Sequence, residues 1–101
     1  LAAAARDMAG RNRRLTLARY ALLVEAAHDP SLRVRLAETG SRVNRWFATW
    51  LRIAGSADPE RDVHVLGNYL TGLVLHELAV PDPDFDPTEH VVALVESLLG
   101  G

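Results

Sequence analysis

The sequence contains no cysteine, which excludes disulfides, thiolate metal sites and cysteine nucleophiles, and fits a reducing, cytoplasmic setting. No apolar run reaches the ~18 residues that a membrane-spanning helix needs. The nearest candidate, YLTGLVLHELAV from Tyr69 to Val80, is short and carries His76 and Glu77. The opening LAAAARDMAG lacks a basic region followed by a long apolar core, so it does not read as a secretory signal. It also lacks an initiator methionine, and a longer polypeptide before Leu1 is therefore expected. Nothing alternates apolar and polar residues for long enough to make a half-buried strand. There is no internal repeat and no glycine-rich phosphate loop.

What is present suits one globular domain. The chain has 101 residues, 49% of them hydrophobic and 24% charged. A chain of that length can bury roughly two-thirds of the surface it exposes when unfolded. The net charge of −2 is unevenly spread, with nine arginines against four acids through Arg45 and two against nine from Trp46 onward. Clustered cations such as Arg11, Arg13 and Arg14 in RNRR are what phosphate contacts require. They more commonly make a solvated helix start beside a bend, which is the favoured reading, and no aromatics interleave with them as a single-strand binder would need.

Three Asp-Pro pairs, Asp29-Pro30, Asp58-Pro59 and Asp86-Pro87, divide the chain. An aspartate accepts from the free amides of a first helical turn, and proline fits the next position because its missing N–H would be unpaired there. Glu60, Asp62 and Glu89 follow where the helix dipole favours acids. The spacing therefore predicts helices over 1–8, 14–28, 30–54, 59–79 and 87–99, with Gly10 at a bend and Gly40 able to kink or break the third. The expected fold class is all-α, a bundle of four to five helices in one domain spanning 1–101.

Asp82, Asp84 and Asp86 alternate as the ligands of a calcium loop do. That loop would need glycine sixth and glutamate twelfth, where Pro87 and Ala93 stand, so the stretch reads as a joint between helices. His76-Glu77 begins the HExxH zinc pattern, but Val80 occupies the second histidine's place. Glu60 and His64, four apart, read as a surface pair. No metal-ligand set, cofactor motif or catalytic constellation emerges, and the chain is not expected to be an enzyme.

The faces carry more information. Leu15, Leu17, Tyr20, Leu22, Leu23 and Val24 point in different directions around their helix, which predicts a central post enclosed by neighbours. Leu32, Leu36, Val43, Trp46, Phe47, Trp50 and Ala54 make one stripe on the next helix, either core filling or the wall of a ligand pocket. Val63, Leu66, Leu70, Leu73 and Val74 line one side of the helix from Pro59, with Val65, Tyr69, Gly72 and His76 on roughly the opposite side. The last helix is also broad, Val92, Val95 and Leu99 shading away from Val91, Leu94 and Leu98. Surplus apolar surface on the last two helices predicts a homodimer in which two copies close a four-helix bundle. Gly72 fits a close approach of two backbones there, or simple packing within one chain.

The stretch TLARYALLVEAAHDPSLRVRL, Thr16 to Leu36, resembles the ligand-binding and dimerisation domain of tetracycline-repressor (TetR) family transcriptional regulators. So does the order that follows: an aromatic helix, GSADPERDVHVLGNYLTGLVLHELA, the PDPDFDP joint and a final helix. The resemblance covers nearly the whole chain. It implies the effector-binding domain of a cytoplasmic repressor, dimerising through the helices from Pro59 and Pro87. Operator DNA would be bound only by an N-terminal helix-turn-helix missing from this sequence. Tyr20, Trp46 and Trp50 are the expected lining for a small apolar or aromatic effector. The alternative is a helical adaptor with no small-molecule site.

Overall fold

The structure, a computed structural model, describes residues 1–100. Five helices follow one another: α1 (Ala2–Ala9), α2 (Arg13–Ala26), α3 (Pro30–Ile53), α4 (Pro59–Ala79) and α5 (Thr88–Leu99). There is no strand among the described residues, so the fold is all-α. Two of the Asp-Pro pairs start helices as expected. The Asp29 carboxylate accepts from the Ser31 and Leu32 amides, and Asp58 from the Arg61 amide. The third pair does so one residue later: Pro87 takes the cap position, while Asp86 accepts from both the amide and the hydroxyl of Thr88. Gly40 does not interrupt α3, which runs unbroken for 24 residues.

The end of α3 is built by Gly55, whose φ of 106° is open to glycine and strained for other residues. The Gly55 amide reaches back to the Arg52 carbonyl and the Ser56 amide to the Leu51 carbonyl, closing the last turn of α3. Arginines fasten the other joints. Arg33 donates to the Ala26 and Ala27 carbonyls at the open end of α2, and Arg13 donates to the Leu78 carbonyl near the end of α4. One member of the RNRR cluster thus has a structural task.

The core is in two parts, and α4 belongs to both. Val74 and Leu78 pack with Ala5 and Ala9 of α1, flanked by Met8, Tyr20, Leu70, Leu73 and Phe85. Val63 and Leu66 pack with Ala48 and Leu51 of α3, flanked by Phe47 and by Leu94, Val95, Leu98 and Leu99 of α5. The central post is therefore α4, not α2. The enclosed position expected for α2 is corrected by its exposed Leu15, Leu17, Leu22, Leu23 and Val24, with only Thr16 and Ala26 buried. The reason lies in the shape. The molecule measures 37 × 36 × 17 Å, a slab no more than two helices deep, and α2 meets α1, α3 and α4 along one side only.

Candidate functional site

The face of α3 that carries the aromatics is not the face that the chain buries. Ala48 and Leu51 go inward, with Phe47 half-buried beside them, whereas Trp46 is 60% and Trp50 56% exposed. A small side chain lets α4 approach closely; two indoles would hold it away. Val43, Trp46, Trp50 and Ile53, spaced three, four and three residues apart, form a solvent-facing apolar seam. The Trp46 ring meets Phe47 edge-on at 5.2 Å and Trp50 at 6.1 Å between centroids. The stripe read from the sequence is rotated from the true buried face, and core filling by the two tryptophans is corrected.

Tyr20 lies elsewhere. It is half-buried against the first core part, and its hydroxyl donates to the Thr71 carbonyl at a long 3.4 Å. Burial pushes its phenol above the ordinary value. The small cavity it lines with Ala5, Met8, Leu70 and Val74 holds about 70 Å³, the share of liquid volume taken by about two waters. The structure thus keeps Trp46 and Trp50 together and sets Tyr20 apart from them.

On the opposite flank of α3 a cleft of about 740 Å³ opens toward the start of α4. Its floor is Ala48 and Val63; its walls carry Ser41, Asn44, Arg45, Thr49 and Arg52 from α3, and Glu60 and His64 from α4. The sequence marks Glu60 and His64 as a surface pair and Val63 as core, but does not bring them together with the α3 residues of this cleft. The available signal was Ser41, Arg45, Ala48 and Arg52 recurring at four, three and four residues, which puts two cations and a hydroxyl on one helix face.

The outer face of α4 holds Val65 and His76 exposed, with Tyr69 and Gly72 partly covered. A Cβ added at Gly72 would meet nothing within 4 Å in the free chain. On α5, Val92 is exposed, whereas Val95 and Leu99 rest partly against the second core part and offer a partner only what remains uncovered.

At the foot of α4, Asp62 is fully buried. Its Oδ2 accepts from the Ser56 hydroxyl at 2.6 Å, and its Oδ1 from Arg61 Nη2 at 3.0 Å and Nε at 3.1 Å. The Ser56 hydroxyl, followed by Arg61, holds the carboxyl below the ordinary carboxylate range against the opposing effect of burial. This clamp ties the α3–α4 turn to α4. In the next joint, carboxylates on either side of Asp84 accept from backbone amides, Asp86 from Thr88 as described. Asp82 accepts from the Asp84 amide and Glu77 from the Asp82 amide. Among the described residues, no three His, Asp or Glu side chains converge as a metal would need.

The described residues thus form an all-α slab with an exposed aromatic seam on α3. The chain matches the family model for the tetracyclin repressor-like, C-terminal domain over residues 1–101 and belongs to that family. This places it among the regulatory domains of transcription regulators. No curated protein and no solved structure matches the chain. No helix among the described residues is long and apolar enough to cross a membrane.

Proposed function

We propose that this chain is the effector-binding and dimerisation domain of a TetR-like repressor acting in the cytoplasm, with operator DNA read by an N-terminal helix-turn-helix of the parent protein. The observation that carries the reading is the family match along the full length of the chain. A small apolar or aromatic effector would engage Trp46 and Trp50, with Tyr20 reporting on the small cavity beside α1. The dimer would form across Val65, Tyr69, Gly72 and His76 of α4 with Val92, Val95 and Leu99 of α5. Effector binding then acts by differential affinity for two arrangements of the domain, the only way a ligand can shift such a balance. No step requires a cofactor, a metal or enzyme chemistry.

A second reading draws on the exposure of the tryptophans: a seam facing solvent also suits an adaptor that docks a protein helix. Tryptophan emission separates the two. Titration with a broad panel of apolar and aromatic compounds should shift emission to the blue and saturate if an effector desolvates Trp46 and Trp50. A flat response across the panel would favour the adaptor.

A further inference from the structure

We propose that the cleft between α3 and the start of α4 is a binding site for a small amphipathic monocarboxylate, an acid with a ring or short aliphatic chain, distinct from the aromatic seam. Residues on an α-helix advance about 100° each, so the mean direction of Arg45, Ala48 and Arg52 lies roughly 130° round from that of Trp46, Trp50 and Ile53. The two sites sit on opposite flanks.

The first support is the state of the arginines. Arg45 and Arg52 both wall the cleft. Seven residues apart, they stand two turns and about 10 Å from each other along the helix, a separation that two long arginine side chains can close to converge on one carboxylate. The one ion pair among the described residues joins Arg61 to Asp62, and side-chain hydrogen bonds from arginine come from Arg13, Arg33 and Arg61. Both cleft guanidinium groups therefore keep their donor forks free, and a carboxylate is the partner that such a fork matches with two parallel bonds.

The second support is the rest of the lining. Ala48 and Val63, both buried core residues, give an apolar floor. Ser41, Asn44 and His64 add polar atoms at the walls. Glu60 is the one acid on the cleft, so two guanidinium groups against one carboxylate leave a surplus of one positive charge. A single negative charge matches that surplus; a second would meet Glu60 uncompensated. The volume of about 740 Å³ lies within the range of about 300–1,000 Å³ typical of ligand sites.

The test is calorimetric titration of the whole chain with sodium benzoate and sodium octanoate, against benzamide and octanamide at the same ionic strength. The acids should bind about tenfold or more tightly than their amides, since charged hydrogen bonds are the stronger ones. Arg45→Gln and Arg52→Gln should each weaken acid binding about tenfold, whereas Arg14→Gln, on α2 and away from the cleft, should not. Circular dichroism of each variant fixes that the helices remain. Acids and amides binding alike, unchanged affinity in both cleft variants, an equal loss in Arg14→Gln, or no acid binding at millimolar concentration would each overturn the site. Because the tryptophans face the other flank, that failure would leave the regulatory reading standing.

Discussion

A fully buried carboxylate in a small helical domain is costly unless it is paired and hydrogen-bonded, and Asp62 accepts three hydrogen bonds from two side chains, one of them cationic. The arrangement carries a pH signature. Its folded pKa lies below the ordinary range, so the clamp contributes stability above the unfolded value, about pH 4, and loses it as pH falls through the folded value. In Ser56→Ala the leading donor is gone, and only Arg61 remains to oppose the upward push of burial on the carboxyl. Chemical denaturation should show the variant less stable than the parent at pH 7. The two stability curves should draw together below pH 4, where the carboxyl of the unfolded chain is protonated in both. Parallel curves down to pH 2 would mean that Ser56 acts by packing and not through the ionised Asp62. Nothing in the sequence marked this pair. Asp62 was legible as a dipole-favoured acid in a first turn, but its burial depends on the Gly55 turn bringing Ser56 over it, which is a tertiary event.

At the scale of whole helices, α4 and α2 exchange the parts that their sequences advertise. Leu78 is 4% exposed and sits in the core part shared with α1; Leu22 on α2 is 47% exposed. Leu78→Ala should cost about 2–5 kcal/mol, as deletions in a packed core do, while Leu22→Ser should stay within about 0.5 kcal/mol in the free chain. Urea unfolding of the two variants checks this, and equal losses would return α2 to the core. Helix existence was legible because caps and punctuation are local: Asp-Pro fixes φ and supplies an acceptor within four residues. The stripe of α4 was legible too, since Val63, Leu66, Leu70, Leu73 and Val74 are all buried or half-buried. The stripe of α3 was legible only in part: Leu32, Leu36 and Phe47 are half-buried, but Val43, Trp46, Trp50 and Ala54 face outward. Hydrophobic size points to Trp46 and Trp50, but close helix packing selects Ala48, and no count of apolar residues distinguishes a face turned to its own chain from one turned outward. The cleft arginines were passed over for the same reason, since charged residues off the apolar stripe look like a solvated surface until a neighbouring helix makes a wall opposite them.

The molecule as a whole has more surface than one chain of this size should show. Its accessible area is 7196 Å², against about 5,700 Å² for a compact monomer of the same mass. The radius of gyration is 14.5 Å, where about 13 Å is usual for 100 residues. An excess of about 1,500 Å² exceeds the roughly 800 Å² that each partner buries in a standard interface, so the slab has room for a twin and for another covering besides. The face of α4 around Gly72 suits the twin, and two glycines of α4 make the test selective. A Cβ would meet nothing within 4 Å at either Gly67 or Gly72. In the free chain both alanine variants should therefore gain about 0.5–1 kcal/mol from helix propensity. On the α4 helix Gly67 lies well round from Gly72, off the proposed seam. If two α4 backbones close over Gly72, the added methyl overpacks that seam by about 1–3 kcal/mol, roughly fivefold to over a hundredfold in the dimer dissociation constant. Light scattering across a dilution series should then give a dimer for the parent and for Gly67→Ala, a weakened dimer for Gly72→Ala, and a monomer for Tyr69→Glu with its helical content kept. A Tyr69→Glu chain that stays dimeric would move the interface off α4. Equal dimerisation of both glycine variants would keep the twin but place its closest approach away from Gly72.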